Sequence, residues 1–405
     1  MNLAFLSATA EPGGAERALL DLLASLRAAE PAWALRLVSG AEGPLAEEAR
    51  SLGVAVDVVP LPSALASIGD AGMVGGAAGA VGMLARLGAA APGAWGWIGR
   101  ARRVLAAFAP HVVHTNGFKM HLLGARVRPR GAALVWHVHD YVTPRRVMGR
   151  LMAAASSRCD AGVAVSRSVA ADLRAACGPR LPVHTLYNAV DLARFSPGGP
   201  SLALHDLAGL PPEAPGTVRV GLVATMGRWK GHEIFLDAVA RLPRDLPVRA
   251  YVVGGGIYRT AGSEVSPEAL RRRAAGLGIG DRVGFTGFVR DTPAVYRSLD
   301  VVVHASTQPE PFGLVIAEAM ACGRAVVASA AGGAAEIVDP ERDALAVPPG
   351  DAGALAEAIR RLATDRDLRE RLGGAARASA EARFDRARLA AEIVPLYRAL
   401  AGGRR

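Results

Sequence analysis

Short apolar runs alternating with amphipathic stretches set the rhythm of this chain. In its first half the runs fall at 2–7, 35–39, 54–59, 112–115, 133–139, 161–165 and 183–187. After most of them, apolar positions recur every three or four residues, the period of a helix with one buried face. Strand and helix repeated in this way predict a doubly wound α/β sheet, because parallel strands need a crossover between them. From Ser196 to Thr217 the chain turns to Pro and Gly (Ser196-Pro197-Gly198-Gly199-Pro200, Pro211-Pro212, Pro215-Gly216) and reads as a linker. A fresh apolar strand, Val218 to Ala224, restarts the alternation. Later, Val301 to Ala305 and Ala325 to Ser329 read as fully apolar strands, the kind buried on both faces of a parallel sheet. Helices close the chain from about Asp351, the last running from Arg386 to Leu400. A chain of 405 residues exceeds one ordinary core, so two domains are expected, 1–195 and 218–385, joined by 196–217.

Composition narrows this little. With 51% hydrophobic and 21% charged residues the chain is globular rather than disordered. Cys159, Cys177 and Cys322 are scattered and odd in number, which offers neither a disulfide framework nor zinc-ligand spacing and fits a reducing cytoplasm. The opening Met1-Asn-Leu-Ala-Phe-Leu-Ser reads as a first strand rather than a signal peptide, since no basic region precedes it.

Charge says more. The net charge of +10, from 47 basic and 37 acidic residues, points to nucleic acid, an anionic membrane face or phosphate ligands. Aromatics at 5% and the lack of any nucleic-acid motif set the first aside. Residues 61–109 bear on the second. The run Ala71 to Ala85 carries no charge, and Trp95 and Trp97 precede Arg100, Arg102 and Arg103. Glycine-rich and too short, this stretch is not a membrane span. An aromatic pair beside a basic cluster suits a membrane surface; a pair of helices packed on the first domain suits the pattern equally.

The candidate chemistry gathers from Asp300 to Val338. The strand from Val301 leads through Gln308-Pro309-Glu310-Pro311 into a helix starting near Phe312-Gly313-Leu314, and a loop with Gly332-Gly333 follows the next strand. A strand feeding a helix N-terminus beside a glycine loop leaves backbone N–H groups for an anion, most often phosphate. Glu310 and Glu318 frame that helix start, and carboxylates accept hydrogen bonds from hydroxyls. A phosphate flanked by hydroxyl-bearing groups describes a nucleotide sugar. Earlier, Arg228 and Lys230 stand in a strand–helix turn, where a guanidinium fork and a compact ammonium can reach a diphosphate.

Glu310-Pro-Phe-Gly-Leu-Val-Ile-Ala-Glu318, with Gly332-Gly333-x-x-Glu336 behind it, resembles the donor site of retaining glycosyltransferases of the GT-B fold, glycosyltransferase family 4. The resemblance implies two Rossmann-like doubly wound parallel-sheet domains facing across a cleft, with helix 386–400 crossing back onto the first. Several shorter stretches join it. Gly13-Gly14-Ala15-Glu16 resembles the loop that closes over the donor diphosphate. Tyr187-Asn188-Ala189-Val190-Asp191 resembles the stretch at the domain junction, and Val252 to Gly256 a glycine turn. Val283 to Arg290, with Gly287 and Val289, resembles the segment whose backbone cradles the nucleobase. His139, before Asp140, matches the histidine at the transfer centre, and Asn116 and Asp140 would stand on the acceptor side. His137 and His139 share a strand face, as a His-x-His metal site requires, but no third ligand is spaced for it in the sequence. Family members usually carry an arginine where this chain has Thr225, and Arg228 is the substitute within reach.

The resemblance then implies a retaining, hexosyl-type transfer from a nucleotide-sugar co-substrate to a glycan or lipid-linked acceptor in cell-envelope polysaccharide or glycolipid synthesis. No metal or other cofactor is expected. Lys230, Arg228 and the amides near Phe312, Gly313 and Leu314 would hold the diphosphate, Glu310 the sugar and Glu318 the ribose. The place of work would be the cytoplasm or the inner membrane face. Two other readings share the fold: a nucleotide-sugar 2-epimerase, and a non-catalytic nucleotide-sugar-binding subunit, the latter motivated by Thr225. Asp365-Arg366-Asp367 looks like a metal-binding Asp-x-Asp but opens a helix, where acidic residues favour the dipole.

Overall fold

Each of the seven apolar runs of the first half forms a strand in the computed structural model, which describes residues 1–11, 13–66, 77–255 and 264–403, the side chains of 66 and 77–91 excepted. Pro12, Gly256 and residues 71–76 of the uncharged run fall outside the described residues. The strands are β1 (Asn2–Ser7), β2 (Ala34–Ser39), β3 (Ala55–Val58), β4 (Val112–Asn116), β5 (Ala133–Val138), β6 (Ala161–Ala164) and β7 (Val183–Thr185). They make one parallel sheet in the order β3-β2-β1-β4-β5-β6-β7, with Leu3 between Leu35 and Val112. Strands β4 and β5 are buried along their whole length, which is why their sequences do not alternate.

Contact clustering groups the sheet into a unit of Met1–Ala189 with Arg386–Arg405. The closing helix Arg388–Gly402 belongs to it because its apolar face completes that core. Leu389, Ile393, Val394 and Tyr397 join Leu19, Leu23 and Leu26 of the helix Gly14–Ala29. The Tyr397 hydroxyl lies 2.8 Å from Nδ1 of buried His114, and Arg388 donates to the carbonyls of Tyr187 and Asn188 at 2.5 and 2.6 Å.

The segment 61–109 holds the short helix Ser63–Ala66 and the long helix Ala77–Phe108. Its two tryptophans part company. Trp97 is buried and donates Nε1–H to the Val59 carbonyl at 2.9 Å, whereas Trp95 is 65% exposed. Among the described residues no helix is long and apolar enough to cross a membrane.

The second unit, Val190–Asp385, carries β8 (Val218–Val223), β9 (Val248–Val253), β10 (Val283–Gly287), β11 (Val301–His304), β12 (Ala325–Ser329) and β13 (Leu345–Val347). Their order is β10-β9-β8-β11-β12-β13, all parallel. Two sequence readings need correcting here. Strand β11 ends in His304 and is therefore not fully apolar. The stretch 196–217, expected as a linker, packs within this unit. The Leu202 amide donates to Ser298 Oγ at 2.6 Å, Leu204 is buried in the helix Leu204–Ala208, and Arg297 donates to the Pro200 carbonyl. Pro and Gly mark irregular backbone, and irregular backbone still docks when apolar residues anchor it. The same holds at the first boundary, 189 rather than 195, since buried Phe195 sits beside the Tyr296 ring of the second unit. Asp365 caps its helix by accepting the Leu368 amide at 2.8 Å.

Both sheets reverse direction once, at β1/β4 and at β8/β11. Loops leaving the carboxyl ends of strands at such a point are the usual ligand positions of doubly wound sheets. Replacing Tyr397 by Phe keeps the packing but leaves a buried imidazole nitrogen unpaired. Urea denaturation of Tyr397→Phe should show a loss of about 1–3 kcal/mol.

Candidate active site

In the second unit the loops after β8 and β11 meet. The loop after β8 tightens into a single 3-10 turn, Arg228–Lys230, and then passes Gly231 into the helix His232–Ala240. Gly231 has φ +74°, and a Cβ there would lie 1.9 Å from the Ala305 carbonyl oxygen. Only glycine allows that approach, and Thr307 fastens it by donating its amide to the Trp229 carbonyl at 2.8 Å. Lys230 is thereby set against the loop that follows β11.

Glu310 receives it. Lys230 Nζ donates to both carboxylate oxygens, at 2.8 and 3.0 Å. Ser306 Oγ donates to Oε2 at 2.8 Å, and His304 Nε2 lies 3.4 Å from the same oxygen and 3.1 Å from Ser306 Oγ. Burial works to raise the Glu310 carboxyl, but the Lys230 charge and the His304 hydrogen bond outweigh it and hold it well below the usual carboxylate range. The backbone around Glu310 is pinned as well. Its amide donates to the Ala331 carbonyl at 3.2 Å, and its carbonyl accepts the Gly333 amide at 2.7 Å. A Cβ on Gly333 would strike the Pro311 carbonyl oxygen at 2.1 Å.

Three residues on, Gly313 starts the helix Leu314–Ala321 with φ +101° and no side-chain cap, so first-turn amides face outward without a capping side chain. Phe312 is buried against Phe384, ring centroids 5.9 Å apart, which fixes the helix entry. Glu318 lies one turn in, and Tyr296 O–H donates to its Oε2 at 2.7 Å. The structure thus brings Lys230, Glu310, Gly313, Leu314 and Glu318 together around one helix start. Arg228 shares the turn but is exposed and makes no ion pair among the described residues. Gly287 and Val289 lie at the end of β10, two strands from β8, where Gly287 has φ +72° and accepts the Gly254 amide.

In the first unit a second set of residues gathers after β1, β4 and β5. Gly13 caps the helix Gly14–Ala29, and its amide donates to Glu16 Oε2 at 3.1 Å, which sets the turn. Asn116 Nδ2 donates to the Ala15 carbonyl at 3.3 Å, and its Oδ1 lies 2.6 Å from His139 Nε2. That assignment makes His139 Nε2 the N–H donor and leaves Nδ1 as the basic nitrogen, buried and with no hydrogen-bond partner among the described residues. Burial first, and the neighbouring His137, His121 and His114 next, push the His139 pKa well below its ordinary value, so the ring is neutral. Asp140 accepts from Arg145 Nη2 at 2.5 Å and from the Tyr141 amide at 2.7 Å. His137 and His139 ring centroids are 4.1 Å apart, yet no three His, Cys, Asp or Glu side chains among the described residues are arranged to hold a metal.

Three residues of these sites escaped the sequence reading: His304, Ser306 and Tyr296. Polar residues closing an otherwise apolar strand were the signal for the first two. Tyr296 gave none.

Residues 12–194 match the family model described as Glycosyltransferase Family 4, and residues 217–365 match Glycosyl transferases group 1. The chain belongs to glycosyltransferase family 4. It is 34% identical over 287 residues to a D-inositol 3-phosphate glycosyltransferase of Xylanimonas cellulosilytica, covering 69% of this chain and 65% of that one. A lipopolysaccharide core biosynthesis glycosyltransferase of Rhizobium meliloti is 35% identical over 154 residues, 37% of this chain and 42% of that one. The chain spans about half to two thirds of the length of the first curated relatives it matches. Among solved structures, Anabaena HepE in complex with UDP-glucose superposes with a TM-score of 0.78 at 25% identity, covering 98% of this chain and all of that one. WaaG, a lipopolysaccharide biosynthesis glycosyltransferase, has a TM-score of 0.68 at 17% identity over 99% of this chain and all of that one, a likeness of fold. The family's GT-B architecture, two Rossmann-like parallel-sheet domains, is the fold described above.

Two consequences of the site geometry can be measured. Gly231→Ala forces a left-handed conformation and a backbone clash on the Lys230 turn, and should cost at least about 1–2 kcal/mol in urea denaturation. Glu310 is depressed in the folded state, so its stabilising contribution is complete above the unfolded carboxyl pKa and fades as pH falls. The Tm gap between wild type and Glu310→Gln should therefore hold steady from neutral pH down to about 5 and narrow below it.

Proposed function

We propose that the protein transfers a hexosyl group from a UDP-sugar to a glycan or lipid-linked acceptor of the cell envelope, with retention of configuration and without a metal. The observation that carries this is the Lys230–Glu310 pair set beside the uncapped helix start at Gly313, at the β8/β11 reversal. That arrangement offers a diphosphate a cation and helix amides, and offers the sugar a fixed hydroxyl acceptor. UDP is proposed as the nucleotide because HepE, alike over its whole length, was solved with UDP and with UDP-glucose. The envelope acceptor is proposed from the relative named for lipopolysaccharide core biosynthesis, while the relatives named for D-inositol 3-phosphate leave a small phosphorylated polyol as the alternative acceptor.

Departure of the nucleoside diphosphate builds negative charge on the phosphate and oxocarbenium character on the sugar. Lys230 and the amides of the Leu314–Ala321 helix start stabilise the first in a partly desolvated site. Arg228, free to swing from its exposed turn, adds the guanidinium that Thr225 does not provide. Glu310 holds donor-sugar hydroxyls, while Glu318, oriented by Tyr296, takes the ribose. Gly287 and Val289 receive the nucleobase on their backbone. For the first unit the proposed roles are backbone contact to phosphate at Gly13 and Gly14, contact to a sugar hydroxyl at neutral His139, whose tautomer Asn116 sets, and acceptor contact at Asn116 and Asp140. No side chain is assigned as nucleophile; a same-face displacement delivers retention.

The test is UDP release from UDP-glucose in EDTA, beside a panel of UDP-, GDP- and ADP-sugars, with and without membrane lipid extract. Lys230→Ala should lower kcat by about 10²–10³-fold, the size expected for removing one transition-state cation, and Glu310→Ala should also abolish turnover. Conversion of the donor to an epimer would move the protein to the 2-epimerase reading. Donor binding without turnover in lipid extract would move it to a binding subunit.

A further inference from the structure

The aromatic–basic stretch of the sequence has a use that the transfer site does not absorb. In the first unit, a concavity of about 570 Å³ opens between the helix Ala77–Phe108 and the connections entering β5 and β6. Five arginines line it, Arg102, Arg126, Arg128, Arg130 and Arg158, and among the described residues no carboxylate does. Arg128 is satisfied by Asp160 at 2.9 Å, and Arg102 donates to the Arg126 carbonyl at 2.8 Å. The side chains of Arg126, Arg130 and Arg158 are exposed and make no ion pair among the described residues. Converging like charges raise the local potential and concentrate anions. At the lip stands Trp95, 65% exposed, the most exposed tryptophan described.

The location separates this feature from the transfer site. Connections entering β5 and β6 lie at the amino edge of the sheet, whereas Asn116 and His139 lie at its carboxyl edge, roughly 17–20 Å away along strands of this length. A phosphate here is therefore not the donor's.

We propose that this concavity seats phosphate groups of anionic lipid headgroups, with Trp95 at the headgroup level, and so docks the first unit peripherally on a membrane. The indole decides between lipid and a free phosphate. An exposed aromatic gains nothing from a soluble anion, but gains at a membrane–water interface, where an apolar ring with a polar edge is best placed. A basic cluster beside it adds attraction to acidic lipid.

Flotation with vesicles of phosphatidylcholine containing phosphatidylglycerol, against phosphatidylcholine alone, tests this on the full chain. Wild type should partition to the acidic vesicles and be released by salt. The triple variant Arg126→Gln, Arg130→Gln, Arg158→Gln should bind about a hundredfold more weakly, at about fivefold per arginine. Its Tm and its UDP release from UDP-glucose should match wild type, since none of the three is in the transfer site or an ion pair. Tryptophan emission should shift to the blue on acidic vesicles, and Trp95→Phe should remove that shift. Equal binding to both vesicles, or a triple variant that binds like wild type, would overturn the proposal. Calorimetric binding of inorganic pyrophosphate, lost in the triple variant, without vesicle binding would also overturn it in favour of a soluble phosphorylated ligand.

Discussion

A carboxylate placed beside a helix start faces two opposing demands. In the proposed role it must stay ionised to accept hydroxyls, yet its charge would repel a phosphate drawn to the helix amides. Lys230 answers both. Its ammonium bridges the two oxygens of Glu310, keeps that group charged against burial, and leaves the local charge balanced. The contact lasts only as long as two loops stay in register, and that is a backbone matter. Gly231 lets one loop press on the Ala305 carbonyl, and Gly333 lets the other press on Pro311. Substituting either glycine would move the ion pair without touching it.

The first unit solves a different problem, holding imidazoles neutral. His114, His121, His137 and His139 lie close together in or beside the sheet, where burial penalises charge and, for His114, His121 and His139, neighbouring imidazoles add to it. His121 and His137 are pushed down to about 3. A histidine kept neutral in this way positions hydroxyls rather than shuttling protons at ordinary pH. The Asn116 amide then fixes which nitrogen of His139 carries the hydrogen.

Much of this was legible from the chain because buried parallel strands write themselves as apolar runs and glycines mark where backbones approach. The first sheet, strands β8, β11 and β12 of the second, and the residues around Gly313 could be read that way. Strand β13 is three residues long, too short for a pattern. The stretch 196–217 misled because Pro and Gly report irregular backbone, not whether Leu202 and Leu204 find a core. Trp95 and Trp97 looked alike in sequence, and only the helix face separates the buried one from the exposed one. Tyr296 acts on Glu318, twenty-two residues away, which no local spacing records.

The helix Arg388–Gly402 completes the core of a unit whose other residues all precede 190. Between the two pieces lies the entire second unit. A ribosome therefore delivers the first sheet with the apolar face of Leu19, Leu23 and Leu26 still uncovered, and delivers its cover only after nearly two hundred further residues. Through that interval the early sheet is a sticky intermediate, exposed to chaperones and to its own copies. Order of synthesis and order of completion run opposite ways, and the last helix acts as the latch on the first domain.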